Sequence, residues 1–558
     1  MEDGLVQCSG NYVPLTPISF LERAAFVYRE RTSVVYGNIR YTWRETHKRC
    51  LRLASALFRL NISPGDRVAA LAPNIPALYE LHFGVPMAGA VLAAMNVMLD
   101  EPTLARLLKL LEAKLIFVDN CYTRLVSRAI DACFEESQKP LMIVIHDLCD
   151  HQSSHSSSKR NGSVDLDYES LLAMEMGDFR AVRPTDERDP ISVSFTSGST
   201  GLPKAVVYSH RSAYLNSIAA IFRYEIKEER PVFLWTVDMF RCNGWCFTWA
   251  MAAIGGTNVC LRNLTAEAIF TSIDLHGVTH LCGNPVILTI VYNSLPSERK
   301  PLPHRVQITV AGTFPPENVV EKVEELGFHV KHGYGMTELM GPAIVTPWKR
   351  KSSPKDNPQN LICENVHGMM MEGVNVIDPR TMRTVPSDGK TPGEIVFRGN
   401  TVMIGYLNDP QATREAFGTD GWFRTGDVGV ISMDGQIEMK DRAEDAIILN
   451  NYGNELSDGF LSSMDVEKVL LGNPKVREAA VVGVRRGDSK VKVCAFVKLE
   501  EGVCCGEEEI KEWYKEEGLG GGGGGLSMVI DKVQFGDLPV NCTGKVQKFV
   551  LRERAADD

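Results

Sequence analysis

Residues 191–204 read Ile191-Ser192-Val193-Ser194-Phe195-Thr196-Ser197-Gly198-Ser199-Thr200-Gly201-Leu202-Pro203-Lys204. The first five alternate apolar and polar side chains and predict a strand, and the next nine form a loop rich in glycine and hydroxyls. Glycines let backbone N–H groups approach a phosphate, hydroxyls donate hydrogen bonds to its oxygens, and lysine adds a positive charge. This is not a Walker A sequence, because the lysine follows proline and precedes Ala205. The stretch predicts a phosphate-binding loop, and an ordinary Ser/Gly surface turn is the alternative.

Short apolar runs alternate with helical patterns through the first 350 residues. They include residues 67–71, 115–118, 141–145 and 306–310. Strands that are separated by helices predict βαβ units and mainly parallel sheets. After about residue 360 the sequence pattern changes. The short apolar runs 393–399 and 435–439 contain glycine or are bounded by it. These runs predict a β-rich subdomain.

The last part of the chain predicts a small α/β unit with strands at 479–484 and 491–497. We therefore divide the chain into an N-terminal domain, residues 1–440, and a C-terminal domain, residues 441–558. Six consecutive glycines at 520–525 lack a preceding strand, so we interpret them as a flexible linker and not as a dinucleotide site.

Composition and charge exclude several classes of function. The chain has 558 residues, of which 44% are hydrophobic and 23% charged, as is ordinary for a soluble protein of several units. A formal net charge of −10 argues against a broad nucleic-acid surface. The 14 cysteines are scattered without a C-x-x-C pair. That usage favours reduced thiols in a cytosol-like compartment over a zinc site or a disulfide framework.

Targeting signals are also missing from the sequence pattern. The first residues show no basic region followed by an apolar run, and residues 552–558 lack an S-K-L-type peroxisomal address. We therefore expect a cytoplasmic protein. Residues 81–99 and 242–261 carry no formal charge and approach the length of about 20 residues that a membrane span needs. Glycine, proline and asparagine interrupt both stretches, which favours buried segments of an α/β core.

A second cluster reads Tyr334-Gly335-Met336-Thr337-Glu338. Tyr334 could stack on a base, Thr337 could hydrogen-bond a phosphate, and Glu338 could hold Mg²⁺, which prefers oxygen ligands. A strand-to-helix turn with a cap is the alternative. Three further motifs are commonplace when taken singly: the glycine-flanked Asp427, the charged run 440–442 and Thr543-Gly544-Lys545.

In their order and spacing, these five motifs resemble the adenylate-forming superfamily over essentially the whole chain. The plant acyl-activating branch of carboxylic acid:CoA ligases is the most similar group, supported by residues 71–74, 242–249, 255–259 and 544–552. The resemblance implies an α/β fold. Two doubly wound, mostly parallel-sheet subdomains and a β-rich subdomain would form the large domain, with a small α+β C-terminal domain on a hinge.

The resemblance also implies the chemistry. A short- or medium-chain fatty acid or an aromatic acid would attack the α-phosphate of Mg·ATP, and CoA would then take the acyl group from the adenylate. The cofactors and partners implied are ATP, Mg²⁺, CoA and a small carboxylic acid, with no nucleic acid and no integral membrane segment. Two alternatives stay open: an adenylating enzyme with another acceptor, and a nucleotide-binding paralogue that is catalytically impaired. Monomer and homo-oligomer are both left open, and the resemblance also allows a peroxisomal location in place of the expected cytoplasmic one.

By the same resemblance, residue roles transfer as follows. The catalytic residues would be Lys545, Thr337 and Glu338, with Glu338 and Thr200 as metal ligands. The nucleotide would be held by Thr196, Ser197, Gly198, Ser199, Thr200, Gly201, Lys204, Gly312, Thr313, Tyr334, Gly335, Thr337, Asp427, Arg442 and Lys545. Glu444 would be the hinge, and Arg241 and Trp245 would line the acyl or CoA pocket.

This chain departs from the pattern of the plant branch at several positions. Arg241 stands where that branch usually has histidine, which changes both the size and the permanent charge of the side chain. In the C-terminal half, Val540, an apparent insertion at 456–464 and the glycine run differ from the usual pattern.

Overall fold

The computed structural model describes residues 8, 10–147, 149, 166–174, 176–196, 203–312, 315–347, 360–361, 371–448, 460–485, 491–519, 530–540 and 545–557. Two eight-stranded sheets, a five-stranded antiparallel sheet and a three-stranded sheet make up most of its β structure. The α/β fold class predicted from the sequence is confirmed.

One eight-stranded sheet carries the predicted phosphate loop. Its strands lie in the spatial order Gly405–Tyr406, Ala205–Ser209, Pro190–Phe195, Val91–Ala94, Arg67–Leu71, Leu115–Asp119, Leu141–Ile145 and Leu166–Asp167. The pairs from 190–195 onward are parallel, whereas 205–209 and 405–406 add antiparallel strands at one edge. The predicted strands at 67–71, 115–118, 141–145 and 191–195 are confirmed.

The other eight-stranded sheet carries the second predicted motif. Its strands lie in the order Gly341–Pro347, Phe328–Met336, Val306–Ala311, His280–Gly283, Val232–Trp235, Thr257–Cys260, Thr32–Tyr36 and Ile39–Thr42. The central pairs are parallel, and the outermost pair at each edge is antiparallel. The parallel strands of both sheets bring their carboxyl ends to one edge, where ligands bind in folds of this type.

Helices cover the faces of these sheets. They span Ile18–Val27, Trp43–Arg59, Pro76–Met87, Glu101–Leu111, Thr123–Cys133, Tyr168–Leu172, His210–Arg223, Phe247–Ile254, Ala266–His276, Val286–Tyr292 and Glu317–Glu325, and a tight turn of left-handed backbone spans Cys242–Trp245. Every residue of the helix Pro76–Met87 is buried, and so are most residues of Phe247–Ile254. The two uncharged stretches are therefore core segments, as predicted. In the part of the chain that the structure describes, no helix is long and apolar enough to cross a membrane.

A capping box starts the helix that follows the phosphate loop. Ser209 Oγ accepts a hydrogen bond from the backbone N–H of Ser212, and Ser212 Oγ accepts one from the N–H of Ser209, both at 3.0 Å. Two backbone donors that a helix N-terminus leaves unsatisfied are thus paired. The strand 205–209 therefore continues directly into the helix His210–Arg223. This connection fixes the position of Lys204, the C-terminal end of the predicted phosphate loop.

The five-stranded sheet is antiparallel throughout and matches the predicted β-rich subdomain. Its strands lie in the order Asn360–Leu361, Ile437–Arg442, Phe423–Ile431, Gly393–Gly399 and Met371–Ile377, with the helix Pro410–Phe417 beside it. Within this sheet, the strand Ile437–Arg442 begins two residues later and ends three residues later than the strand predicted at 435–439. The glycine there lies in the turn and not in the strand.

The C-terminal residues form a smaller α+β unit with apolar clusters of its own. Its sheet consists of Val476–Val484, Lys492–Leu499 and Lys532–Phe535, and the helices Ser463–Leu471, Glu507–Leu519 and Lys548–Asp557 complete it. A separate two-stranded ribbon pairs Ile447–Ile448 with Phe460–Leu461. The boundary at 440/441 stays a prediction. The glycine run 520–525 lies outside the described residues, as do residues 456–459 of the insertion near 456–464.

Candidate active site

A cavity of about 670 Å³ opens at the carboxyl ends of the parallel strands. The predicted site residues that line it are Thr196, Lys204, Arg241, Trp245, Gly312, Gly335, Thr337, Glu338, Arg442, Glu444 and Lys545. Tyr334 and Asp427 are buried next to lining residues. Ser197, Gly198, Ser199, Thr200, Gly201 and Thr313 lie outside the described residues. Positions up to 349 residues apart in the chain thus face one space.

The two ends of the phosphate loop are joined by two hydrogen bonds. The backbone N–H of Thr196 donates to the carbonyl of Lys204 at 3.0 Å, and the N–H of Lys204 donates to Thr196 Oγ1 at 2.9 Å. The Lys204 ammonium lies 4.8 Å from the centre of the Tyr406 ring. The loop therefore enters and leaves at fixed points, with its cation at the cavity wall.

Three hydrogen bonds hold the segment Thr337–Glu338. Tyr208 Oη donates a hydrogen bond to the carbonyl of Thr337 at 2.5 Å, and the N–H of Met403 donates to the carbonyl of Glu338 at 2.9 Å. Tyr406 Oη donates to Glu338 Oε1 at 2.8 Å. Glu338 is only 5% exposed, so the backbone and the carboxylate are both fixed in the cavity wall.

Asp427 is a buried carboxylate, and one of its two oxygens lacks a hydrogen-bond donor within the described residues. Tyr334 Oη donates to its Oδ2 at 2.6 Å, and Arg442 Nε lies 3.0 Å from its Oδ1 as an ion pair. The arginine N–H does not point at that oxygen, and within the described residues Oδ1 accepts no hydrogen bond. Burial raises the pKa of Asp427, against the opposing charge of Arg442. An unsatisfied buried acceptor of this kind suits a hydroxyl donor such as a ribose.

An ion pair behind Asp427 braces the turn that carries it. Arg424 Nε donates to Glu394 Oε2 at 2.8 Å, and the N–H of Gly426 donates to Glu394 Oε1 at 3.0 Å. Glu394 and Arg424 both line the cavity. The sequence motifs gave no role to either residue. The pairing of the strands 393–399 and 423–431 is what joins them.

Lys545 comes from the C-terminal unit and lies among charged residues of the large domain. Burial and the positive charges of Arg442 and Arg241 lower the pKa of Lys545, while the carboxylates of Asp427 and Glu338 act in the opposite direction. Lysine loses its charge more readily where water is excluded and other cations are near. The charge of Lys545 is thus set by the cations and carboxylates around the cavity.

The segment around Glu444 is tied to the C-terminal helices. Arg552 donates to the carbonyl of Glu444 at 2.7 Å and forms an ion pair with Asp445. The N–H of Ser463 donates to Asp441 Oδ2 at 2.5 Å. These bonds couple residues 441–445 to the unit that supplies Lys545, and a hinge at Glu444 stays a prediction.

Arg241 and Trp245 stand on a tightly folded loop. Cys242, Asn243, Trp245 and Cys246 all have φ between +47° and +67°, a region that side chains other than glycine rarely adopt. Asn74, 7% exposed, holds the preceding turn: its Nδ2 donates to the carbonyls of Trp235 and Val237, and its Oδ1 accepts from the N–H of Met239. Backbone strain of this kind persists where surrounding contacts fix it and often marks a binding site.

The side chains of this loop form a mixed charged and apolar wall. Arg241 Nε donates to Asp238 Oδ2 at 2.8 Å, and its guanidinium carbon lies 5.3 Å from the centre of the Phe240 ring. Trp245 packs against Gly341, where a Cβ would lie 3.1 Å from the indole Cδ1. Burial raises the pKa of the Cys242 thiol to about 11, so this thiol is protonated at neutral pH and is not a nucleophile.

The donors of the cavity fit a magnesium-bound nucleotide. A carboxylate at Glu338 is the hard oxygen ligand that Mg²⁺ prefers. Lys204 and the loop ends supply positive charge and hydroxyls for phosphates, and Asp427 Oδ1, which accepts no hydrogen bond within the described residues, can accept one from a ribose. The volume also suits an extended ligand, because small-molecule sites range from about 300 to 1,000 Å³.

Comparisons with known proteins identify the family of this chain. Residues 21–407 match the model of the AMP-binding enzyme family, and residues 465–545 match that of the AMP-binding enzyme C-terminal domain. The chain is 43% identical to a probable acyl-activating enzyme 21 of Arabidopsis thaliana, over 100% of this chain and 98% of that protein. It is 42% identical to the 2-methylpropanoate–CoA ligase CCL4 of Humulus lupulus, over 97% and 95%.

A solved structure shares the fold over nearly the full length. The anthranilate CoA ligase AuaEII in complex with anthranoyl-AMP superposes with a TM-score of 0.79 at 19% identity, covering 99% of each chain. The resemblance stated from the sequence motifs is confirmed. This chain belongs to the AMP-binding enzyme family.

Proposed function

We propose that this chain is an ATP-dependent carboxylic acid:CoA ligase that works through an acyl-adenylate. The observation that carries the proposal is the shared cavity, where Thr196, Lys204, Thr337, Glu338 and Lys545 surround one space beside Asp427. The name of the hop relative, a 2-methylpropanoate–CoA ligase, supports CoA as the acceptor and a small acid as the substrate.

The nucleotide is held at three points. Thr196 and Lys204 bind the β- and γ-phosphates together with the loop that they close. Asp427 accepts from the ribose through Oδ1, because Tyr334 already occupies its Oδ2. Arg442 stays paired with Asp427 and directs its positive charge toward the cavity. Glu338 and Thr200 are the proposed ligands of Mg²⁺, which neutralises phosphate charge when it is bound.

In the first half-reaction, a carboxylate oxygen of the acid forms a bond to the α-phosphorus, and the bond to the bridging oxygen of the β-phosphate breaks. Negative charge accumulates on the α-phosphate oxygens. Lys545 and the hydroxyl of Thr337 stabilise this charge as preorganised donors. Such fixed donors in a partly dry site contribute about 2.7–4 kcal/mol each to lowering a barrier.

In the second half-reaction, the sulfur of CoA attacks the acyl carbon. The bond between that carbon and the AMP oxygen breaks, and the thiol proton is released to solvent. Lys545 must leave the cavity for CoA to enter, which requires the C-terminal unit to turn at Glu444 while the acid stays against Arg241 and Trp245. Motions of lids and domains commonly gate such steps.

The test uses the purified full-length chain with Mg·ATP and acetate, butyrate, 2-methylpropanoate, benzoate and cinnamate. ATP–pyrophosphate exchange measures the first half-reaction, and mass spectrometry of CoA thioesters measures the second. We expect exchange and thioester formation with at least one acid. Exchange without thioester would indicate another acceptor, and nucleotide binding without exchange would indicate a protein that has lost turnover.

Compartment is a separate part of the proposal. The twelve cysteines that the structure describes are free thiols, in keeping with a reducing compartment. We propose the cytoplasm, and fluorescence microscopy of the chain tagged at its N-terminus tests it against a peroxisomal marker.

A further inference from the structure

Tyr406 lies where two charged parts of the cavity meet. Its short strand pairs with the strand that leaves the phosphate loop, with Tyr406 opposite Val206. Ile404 N–H donates to the carbonyl of Val207 at 2.9 Å, and Leu407 N–H donates to the carbonyl of Ala205 at 2.8 Å. The backbone on both sides of Tyr406 is therefore fixed to the residues that directly follow Lys204.

The phenol of Tyr406 occupies one oxygen of Glu338. Its Oη donates to Oε1 at 2.8 Å, and Glu338 is 5% exposed. The hydrogen bond from Tyr406 engages only the Oε1 atom of this carboxylate. A carboxylate that is tied through one oxygen presents the other in a single direction, and hydrogen-bonded partners of this kind commonly orient metal ligands.

The ring of Tyr406 lies under the ammonium of Lys204. Nζ is 4.8 Å from the ring centre, within the range of about 6 Å in which an aromatic face attracts a cation. Lys204 is one end of the phosphate loop, and Glu338 lies in the short helical turn Thr337–Leu339 between two strands of the other eight-stranded sheet. One side chain thus contacts the lysine proposed to bind phosphate and the carboxylate proposed to bind metal.

We infer that Tyr406 is a positioning residue that couples the magnesium ligand Glu338 to the phosphate-loop cation Lys204. The inference rests on the proposed function, because it takes Glu338 as the metal ligand and Lys204 as a phosphate contact. The hydroxyl and the ring have separable tasks. The hydroxyl orients the carboxylate for Mg²⁺, and the ring holds the ammonium near the phosphates.

The two tasks are separated by Tyr406→Phe and Tyr406→Leu. Calorimetry measures ATP affinity of the full-length chain without acid, once with Mg²⁺ and once with EDTA. A hydrogen bond to a charged group contributes enough that we expect Tyr406→Phe to lower the affinity gain from Mg²⁺ about tenfold. Its affinity in EDTA should match the wild type, because the ring remains. Tyr406→Leu should lose the same gain and also bind ATP about threefold more weakly in EDTA.

Tyr334→Phe is the matched control. It also removes a tyrosine hydrogen bond to a buried carboxylate of this site, Asp427, but it leaves Glu338 untouched. We expect it to weaken ATP binding equally with Mg²⁺ and with EDTA. A Mg²⁺-specific loss in Tyr406→Phe, beside a Mg²⁺-independent loss in Tyr334→Phe, supports the inference, since a merely structural role would not separate the two conditions.

The contradicting outcomes are distinct. If Tyr406→Phe keeps the full gain from Mg²⁺ while the wild type forms a thioester, the inference falls and the proposed function stands. If the wild type binds Mg·ATP more tightly than ATP and Tyr406→Phe loses that gain, the inference holds even where no thioester forms. If the wild type binds no nucleotide, both fall.

Discussion

At the scale of single residues, the candidate site depends on a small number of charges in a partly buried space. Asp427 and Arg442 form one ion pair, Glu394 and Arg424 another, and Lys545 lies among cations and carboxylates from four other segments. The order of the motifs named Lys545, Asp427 and Arg442 as site residues, and the structure places them in or beside one cavity. The motif order missed Tyr406, because a tyrosine in a two-residue edge strand has no distinguishing pattern.

Replacing Lys545 by alanine should separate the half-reactions. Without the ammonium beside the α-phosphate, we expect ATP–pyrophosphate exchange to fall by about 10²–10³-fold. Thioester formation from supplied acyl-adenylate and CoA should largely survive, because Lys545 leaves before that step. Equal losses in both assays would remove Lys545 from the role proposed here.

The pH dependence of the first half-reaction should report the charge of Lys545. The ammonium is the active form, so activity falls as pH rises through its pKa. Since that pKa is lowered from 10.5, the alkaline limb of kcat/KM for ATP should begin below the ordinary lysine range. Arg241→His removes one cation at alkaline pH and should move the limb to higher pH. A limb that does not move in this variant would contradict the electrostatic account.

Arg241→His should also change which acid is used. The substitution exchanges a permanent charge for a smaller ring in the cavity wall, so the ratios of kcat/KM among acids should shift by about tenfold, or about 1.4 kcal/mol. The KM for ATP should stay near the wild-type value. Asp238→Asn is the control, because it releases the Arg241 ion pair but keeps the guanidinium. An unchanged acid profile would place Arg241 outside the pocket.

At the scale of elements, periodic strands were predictable and their connections were not. The alternation at 191–195 predicts a strand, because a strand that is buried on one face has apolar side chains at every second position. The apolar runs at 67–71 and 306–310 predict strands that are buried on both faces. The loop 242–246 could not be predicted, because its four left-handed residues other than glycine are imposed by tertiary contacts. Those contacts come from Asn74 and Ser192, far away in sequence.

Asn74→Ala should test how that loop is held. The variant leaves one backbone N–H and two carbonyls without their buried partner, and each such loss costs about 1–3 kcal/mol. We expect the melting temperature to fall by several degrees and the KM for the acid to rise. The exposed Asn293→Ala serves as the control. Equal melting temperatures in both variants would show that Asn74 does not hold the turn.

At the scale of the whole molecule, residues from several units of the chain line one candidate catalytic cavity. The two eight-stranded sheets supply the phosphate loop and Glu338, the five-stranded sheet supplies Asp427, and the C-terminal unit supplies Lys545. The motif order predicted this convergence, but only the three-dimensional structure shows which side chains meet. Strand pairing between distant segments, such as 205–209 with 405–406, is the physical step that a linear pattern does not reveal.

The most direct test of the central claim follows an isotope through one turnover. An acid that carries ¹⁸O in both carboxylate oxygens is incubated with the full-length chain, Mg·ATP and CoA, and AMP is examined by mass spectrometry. If a carboxylate oxygen attacks the α-phosphorus, AMP must carry one ¹⁸O and the thioester must keep the other. Thioester formed with unlabelled AMP would contradict the account.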